Sequence, residues 1–336
     1  MSAVVPGAAH VAIHGDGIAA NCCAHLLTQA GLSVTRSGGA RKPVPAIVLS
    51  DTALALMRSV FDRVDLFDDH PRITRRIVAW GAAEPVSLPH EAVVVSEGDL
   101  DAALAGPASP AAPASMIIHA APSFPDPAMR SFGRRSTVAA QVRLRHESDQ
   151  TACWIESVEA GWLFLIPSGP AAGWLLAVGA SAEALLAQSR HVARRIELSG
   201  PTSAAFETSP RMLATMAGPD WLACGSAAIA FDPICGDGTA QAVREAILAS
   251  AVIGAIGEGG DPAALRLHFE SLMVAAMRRH LRLCAQFYAS GGDGPWWRAQ
   301  LADLVEGFDA CTARLAKMPE PRFELHGLRL VERVAA

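Results

Sequence analysis

Hydrophobic positions along the chain follow either the repeat of a strand or that of a helix, and the N-terminal region contains both patterns. His10–His14 has the apolar character of a short strand, Gly15–Gly17 that of a tight turn, and Ile18–Ala30 the spacing of a helix. Gly31 is placed to end that helix, and a second strand is expected to begin at Leu32–Thr35. The region therefore predicts a βαβ unit, which places the protein in the α/β class.

The central part of the chain changes to alternation with a period of two, which predicts an antiparallel sheet. The candidate strands are Thr137–Arg145, Ala152–Ser157, Gly161–Ile166 and Trp174–Val178. Helical spacing dominates afterwards. The predicted helices are Ser181–Ile196, Gly238–Ile256, Pro262–Ala289 and Trp297–Ala316.

The first turn has the pattern G-x-G-x-x-A at Gly15-Asp16-Gly17-Ile18-Ala19-Ala20. Glycine at the first position permits the tight turn, and glycine at the second lets the backbone approach a pyrophosphate at the helix N-terminus. Alanine at the last position permits close packing of helix on strand. The acidic residue that usually holds a ribose after the second strand is absent, and Ser37 is the candidate replacement. A purely structural turn is the alternative.

A second glycine turn lies far along the chain. Cys224-Gly225-Ser226 is followed by Asp232-Pro233 and by Gly236-Asp237-Gly238-Thr239, which opens a long predicted helix. Its free amides suit the polar edge of a reduced flavin. This segment resembles the late motif of the FAD-dependent monooxygenase and flavin-dependent halogenase superfamily, Gly-Asp-Ala-Ala…Asp-Pro-x-x-Gly-x-Gly. Ser226 replaces the aspartate of that motif.

The resemblance implies FAD as cofactor and a Rossmann-like FAD-binding domain made of residues 1–70, 90–125 and 215–260. It also implies an inserted antiparallel substrate sheet from residues 71–89 and 126–214, followed by a helical C-terminal region over 261–336. Glu97 stands where the family usually carries a phosphate-facing arginine, and Ile117–Ser123 lacks the Asp-Gly of hydroxylases that use NAD(P)H. A separate flavin reductase is therefore expected.

Two branches of this superfamily are compared at the residues that distinguish them. Gly161-Trp162-Leu-Phe164-Leu-Ile166-Pro167 is similar to the halogenase motif W-x-W-x-I-P, although any half-buried strand has such alternation. Halogenases also carry a lysine in the segment that Arg72–Trp80 matches here, and this segment contains arginine only. Guanidinium stays protonated and does not supply amine chemistry, so we expect no halogenation.

The expected function is hydroxylation of a small aromatic or indolic substrate through a flavin hydroperoxide. Some compact members of the superfamily oxygenate a tryptophan of a partner protein during maturation of a tryptophylquinone cofactor, and this alternative stays open. Asp232, Arg72 and His90 are the candidate catalytic residues. Two further alternatives are a flavin-dependent reductase or dehydrogenase that inserts no oxygen, and a non-catalytic flavin-binding partner protein.

Composition and charge restrict the classes of partner and the cellular compartment that we expect for the protein. The formal net charge of −5 argues against nucleic acid. The seven cysteines and eleven histidines show no metal-ligand spacing along the chain, so no metal is expected. The best apolar run, Ala246–Ile256, is shorter than the roughly twenty residues of a membrane span. The N-terminus lacks the basic start of a signal peptide, and we expect a cytoplasmic protein.

Overall fold

The strands and helices of the chain are defined by a computed structural model that describes residues 10–38, 44–104, 106, 113–121 and 129–333. The strands in these ranges are β1 (His10–His14), β2 (Ser33–Ser37), β3 (Ile47–Ser50), β4 (Arg72–Ala79), β5 (Val86–Val95), β6 (Met116–His119), β7 (Met129–Ser131), β8 (Ser136–Leu144), β9 (Ala152–Val158), β10 (Gly161–Gly169), β11 (Ala172–Val178), β12 (Ile196–Thr202), β13 (Phe206–Glu207), β14 (Arg211–Leu213), β15 (Trp221–Ala223), β16 (Ile229–Ala230), β17 (Phe323–His326) and β18 (Arg329–Glu332). The α-helices are α1 (Ile18–Gln29), α2 (Asp51–Phe61), α3 (Glu97–Leu104), α4 (Ala182–Gln188), α5 (Gly238–Gly257), α6 (Pro262–Gly291) and α7 (Pro295–Leu315).

The βαβ unit predicted at the start of the chain lies in a parallel sheet of order β15-β6-β1-β2. Helix α1 follows β1 and packs against α5, and both helices bury alanine, leucine and isoleucine side chains. Since β1 and β15 belong to this one sheet, the turns that follow them, near residues 15 and 225, lie at the same sheet edge.

The larger sheet has nine strands, with the order β12-β8-β11-β10-β9-β4-β5-β3 and β13 paired to β8. Its pairs are antiparallel except β4 with β9. The four strands predicted between Thr137 and Val178 are present as β8 to β11. Strand β5 runs through the boundary that the sequence predicts between residues 89 and 90, so the two predicted domains share this sheet. The coarse α/β class is thus found, while the domain boundaries stay predictions.

One predicted helix is wrong over half its length. Helix α4 ends at Gln188, and Ile196 already begins β12. The buried carboxylate of Glu156 accepts hydrogen bonds from the backbone amides of Arg190, His191 and Val192, at 2.7 to 3.3 Å. These bonds hold the chain in a turn, because the same amides are then not available for helical hydrogen bonds.

The C-terminal region contains a β-hairpin in addition to the predicted helices. Helices α6 and α7 pack against each other, and the hairpin of β17 and β18 follows them. Helix α5 is the one helix in the described ranges that is long and apolar enough to cross a membrane, and 67% of its most apolar window is buried inside the fold. Its hydrophobic composition therefore matches its position in the core, between α1, α2 and α6.

Candidate functional site

The first glycine turn is a tight backbone approach between two strands. Gly15 and Gly17 both have positive φ, at 126° and 86°. A Cβ atom on Gly15 would lie 2.6 Å from the backbone nitrogen of Ala121, which no side chain could tolerate. Gly17 precedes α1, and no side chain among the described residues caps that helix end. The first amides of α1 are therefore available to an anionic ligand.

The second glycine turn packs directly on the first. Gly225 follows β15 with a φ of 58°, and a Cβ atom there would lie 2.8 Å from the Cβ of Ala19 in the first turn of α1. Further along, Gly236 has a φ of 66° and Gly238 begins α5. The side chain of Asp237 does not cap α5 but pairs with Arg244 at 3.3 Å. The N-terminus of α5 thus also keeps its amides available.

The N-termini of α1 and α5 both line one cavity of about 270 Å³. Seven of the residues predicted to bind the cofactor line it: Gly17, Ile18, Ala19, Gly225, Ser226, Gly238 and Thr239. The other seven predicted residues do not line this cavity: Gly15, Ala20, Ser37, Asp232, Pro233, Gly236 and Asp237. The two motifs, which lie some two hundred residues apart, are brought to one site.

A second cavity of about 370 Å³ lies beside α1 and β2, and Asp16 lines both cavities. Arg36 lies in the segment where the ribose-binding acid is expected, and it lines this second cavity. Its Nη1 donates to Asn21 Oδ1 at 2.5 Å, and its Nη2 lies 3.9 Å from Asp16. Ser37 is not on the cavity wall: its hydroxyl lies 2.7 Å from His14 Nδ1, and its carbonyl oxygen accepts from the Gly15 amide.

Two buried glutamates line the first cavity. Glu97 Oε2 accepts a hydrogen bond from the Val44 amide at 2.7 Å. Glu245 Oε2 accepts one from the Gly225 amide at 2.6 Å and so fixes the second turn to α5. Burial raises the pKa of Glu245 to about 8, so this carboxyl is mostly protonated at neutral pH and repels an anion weakly. Sequence reasoning missed Glu245, although an acidic residue between apolar neighbours on a buried helix face was a usable signal.

Replacing Glu245 with glutamine is expected to remove part of the pH dependence of stability. The folded-state pKa of about 8 exceeds the ordinary 4.5, so the carboxyl's contribution is complete below pH 4.5 and is lost as the pH rises towards 8. The free energy of unfolding of Glu245→Gln, relative to wild type, should therefore rise by at least about 1 kcal/mol between about pH 5 and about pH 8. Urea unfolding at both pH values measures this. Glu91→Gln, at an exposed glutamate, is the control, and a pH-independent difference for Glu245→Gln would contradict the assignment.

Asp232, predicted to be both catalytic and cofactor-binding, lies outside both cavities. It is 1% exposed, and its Oδ2 lies 3.3 Å from Nε of the fully buried Arg135. The Tyr288 hydroxyl donates to the same oxygen at 2.8 Å, and the Trp162 indole N–H donates to that hydroxyl at 3.1 Å. Burial raises the pKa of Asp232, against the opposing effect of Arg135. The geometry supports a structural role for Asp232, because its carboxylate is already paired with Arg135 and hydrogen-bonded to Tyr288.

The other two candidate catalytic residues are placed differently from each other. Arg72 lies at the exposed start of β4 and pairs with Asp68 at 3.0 Å, away from the cavities. His90 Nε2 lies 3.3 Å from Nη2 of Arg76, and a Cβ atom on Gly236 would lie 3.0 Å from that same nitrogen. Burial, together with the Arg76 charge, lowers the pKa of His90. Arg76 is thus the arginine of β4 that contacts the second glycine turn, and His90 lies beside its guanidinium.

The two segments that were compared with halogenases in sequence correspond to strands β4 and β10 of the large sheet. Trp162 and Phe164 are buried in the middle of the large sheet, as the ordinary strand interpretation predicts. Lys42 lies outside the described residues, as do Pro122 and Ser123 of the segment compared with the Asp-Gly motif. Among the described residues, no lysine lines either cavity.

Comparison with known proteins gives a fold and no sequence family. No family model matches the chain, and no curated protein matches it in sequence. Solved structures do match. CmlS, a flavin-dependent halogenase, has a TM-score of 0.76 at 17% identity, over 94% of this chain and 74% of CmlS. QhpG, a peptidyl tryptophan dihydroxylase essential for tryptophylquinone cofactor biogenesis, has a TM-score of 0.69 at 18% identity, over 88% of this chain and 79% of QhpG.

A third similar structure is a variant of HpxO from Klebsiella pneumoniae complexed with FAD, with a TM-score of 0.61 at 15% identity, over 92% of this chain and 98% of HpxO. The fold is therefore that of flavin-dependent halogenases and monooxygenases, and the resemblance predicted from the glycine turns is confirmed at this level. Several of the similar structures are halogenases, so the expectation of no halogenation has no support from the fold.

Proposed function

We propose that the protein binds FAD and oxygenates an indolic ring, and that this ring is a tryptophan side chain of a partner protein. The observation that carries the proposal is the meeting of two helix N-termini, without side-chain caps, at one cavity. A ligand that is anionic near one turn and polar near the other matches this arrangement, and a flavin dinucleotide has both features.

The residues present fit such a ligand in shape and in donors. The amides at the start of α1 would hold the pyrophosphate, and those near Gly225 and Gly238 would hold the ribityl chain and the polar edge of the flavin ring. The second cavity, with Arg36 and Asn21, would take the adenosine end, since Asp16 lines both cavities. None of the described side chains on the first cavity is basic, so backbone amides have to provide the positive potential there.

FAD supplies two-electron transfer and activation of dioxygen when it is bound. The chain's own residues exclude water and fix the cofactor. Ile47, Leu100, Ile229 and Phe231 form the apolar part of the cavity wall. Glu245 holds the Gly225 turn, and the Arg76–His90 pair contacts the Gly236 turn from the large sheet. A dry and rigid wall of this kind favours transfer to substrate over wasteful side reactions.

The tryptophan substrate is proposed on two grounds. QhpG, whose substrate is a peptidyl tryptophan, shares the fold over most of both chains. In addition, the segment between β7 and β14 consists of sheet strands with a single short α-helix, α4, so few of its residues remain to enclose a small substrate. Reducing equivalents would come from a separate flavin reductase.

Halogenation is the second candidate, because CmlS matches with the higher TM-score. One experiment separates the possibilities. The protein is incubated with FAD, a flavin reductase with NADH, isotopically labelled dioxygen and bromide, and either free indoles or tryptophan-containing proteins. Mass spectrometry of the products should find labelled oxygen on tryptophan. Bromine on the ring without labelled oxygen would establish the halogenase, a reduced unlabelled product would establish a reductase, and unchanged substrates would leave a flavin-binding protein without this activity.

A further inference from the structure

A cluster of soft ligand atoms lies behind the second glycine turn, although sequence spacing predicts no metal. Cys235 ends the short Pro233–Cys235 turn, while His280 and Cys284 lie one helical turn apart on α6. The two sulfur atoms are 3.6 Å apart, and Cys284 Sγ is 3.2 Å from His280 Nε2. One ligand atom from each residue lies within 4.8 Å of the others. Spacing could not reveal this group, because a fold contact joins its halves.

These separations are close to those of a tetrahedral zinc site. Zinc binds thiolate sulfur at about 2.3 Å and imidazole nitrogen at about 2.0–2.1 Å, which puts two sulfur ligands about 3.8 Å apart and a sulfur and a nitrogen about 3.5 Å apart. The observed 3.6 Å and 3.2 Å, both measured from Cys284 Sγ, differ from these values by only a few tenths of an ångström, and Cys235 Sγ lies within 4.8 Å of a ring nitrogen of His280. A shift that brings the partly buried Cys235 side chain towards His280 would place an ion between the three atoms.

The imidazole of His280 is already held in the form that a metal requires. The backbone amide of Asp232 donates to Nε2 at 2.8 Å, so the lone pair is on Nε2 and the ring proton is on Nδ1. The ring is buried and stacks on Phe231, with centroids 3.9 Å apart and planes 3° apart. A metal would take the lone pair that now accepts this amide hydrogen, and a zinc–imidazole bond is much stronger than the hydrogen bond it replaces.

We propose that Cys235, His280 and Cys284 form a zinc(II) site with a fourth position open to solvent beside Cys235. Two thiolates neutralise the charge of the ion, which suits a location near the buried Arg135–Asp232 pair. Cys235 is only partly buried, so ion and water can enter from its side. The ion would join the Pro233–Cys235 turn to α6 and so fix the start of α5.

The test uses the full-length protein, reduced and then dialysed against zinc(II) or cobalt(II). Elemental analysis should find about one zinc per chain, as for a single site with three protein ligands. The cobalt-loaded protein should show the strong near-ultraviolet absorption of thiolate–cobalt charge transfer. Zinc should also protect Cys235 from alkylation, because a bound thiolate is no longer a free nucleophile.

Matched variants assign the binding to this cluster. Cys235→Ser and Cys284→Ser should lose the cobalt absorption and the bound zinc. Cys311→Ser, which alters a buried cysteine on α7 outside the cluster, should keep both. Wild-type protein without zinc or cobalt binding, binding that survives in Cys235→Ser and Cys284→Ser, or a Cys235–Cys284 disulfide isolated in place of a metal site would each overturn the proposal. The wild-type cobalt spectrum decides the question even if a serine variant fails to fold.

Discussion

The Asp232→Ala variant will have a free energy of unfolding about 3–5 kcal/mol below that of the wild type, the usual cost of leaving a buried charge without its partner. Arg135 is 0% exposed, and its guanidinium lies over the Tyr288 ring at 4.6 Å. Without Asp232, the guanidinium keeps the hydrogen bond from Nη1 to the Phe132 carbonyl oxygen at 3.0 Å and its electrostatic interaction with Glu207. Urea unfolding followed by circular dichroism measures the loss.

Two controls separate this structural role from a catalytic one. Asp237→Ala removes a partly exposed acid from the same segment and should change stability by less than about 1 kcal/mol. Tyr288→Phe removes the hydroxyl that donates to Asp232 and accepts from the Trp162 indole, so two buried hydrogen bonds are lost and the cost should be about 2 kcal/mol. A fully stable Asp232→Ala protein that loses only activity would show that Asp232 acts in the reaction after all.

Gly238→Asp should weaken FAD binding about thirtyfold while leaving the fold intact. A Cβ atom on Gly238 meets nothing within 4 Å, so the larger side chain fits. A carboxylate at the first position of α5 stabilises the helix through its dipole. It also places a negative charge where the polar edge of the flavin ring is proposed to bind, and repulsion of a ligand charge about 8 Å away would cost about 2 kcal/mol at an effective dielectric constant of about 20. Equilibrium titration with FAD measures the change.

Gly238→Ala is the matched control for this variant, because it adds a side chain without charge and should bind FAD like the wild type. The thermal midpoint of Gly238→Asp should equal or exceed that of the wild type. If Gly238→Asp binds FAD unchanged, the start of α5 does not meet the cofactor, and the proposed position of the flavin ring is wrong.

Local pattern was sufficient for elements that have a regular hydrophobic period or a glycine turn. The first glycine turn, α1, β8 to β11 and α5 lie close to their predicted positions, because periodicity and glycine position determine them within a few residues. Helix α4 was overestimated because Glu156, distant in sequence, captures the amides that would have continued it. Residues 71–89 were assigned to the substrate sheet, but the continuation of β5 to Val95 and its pairing with β3 were not predicted, because this pairing depends on neighbours that a single sequence does not reveal.

The same division holds within the candidate site. Both glycine turns could be found from sequence because each is a short motif that opens a helix. The roles of Asp232 and Glu245 could not be assigned, because they depend on Arg135 and on the Gly225 amide, which only the fold brings close. The cluster of Cys235, His280 and Cys284 was missed for the same reason.

The most direct test of the account compares the equilibrium binding of FAD, FMN and riboflavin to the purified protein by flavin fluorescence. If the N-termini of α1 and α5 hold opposite ends of one dinucleotide, FAD should bind at least about a hundredfold more tightly than FMN or riboflavin. Both smaller ligands lack the adenosine end, and the contacts of that end contribute several kcal/mol to the binding free energy. Equal affinity for all three flavins, or no binding of FAD, would contradict it.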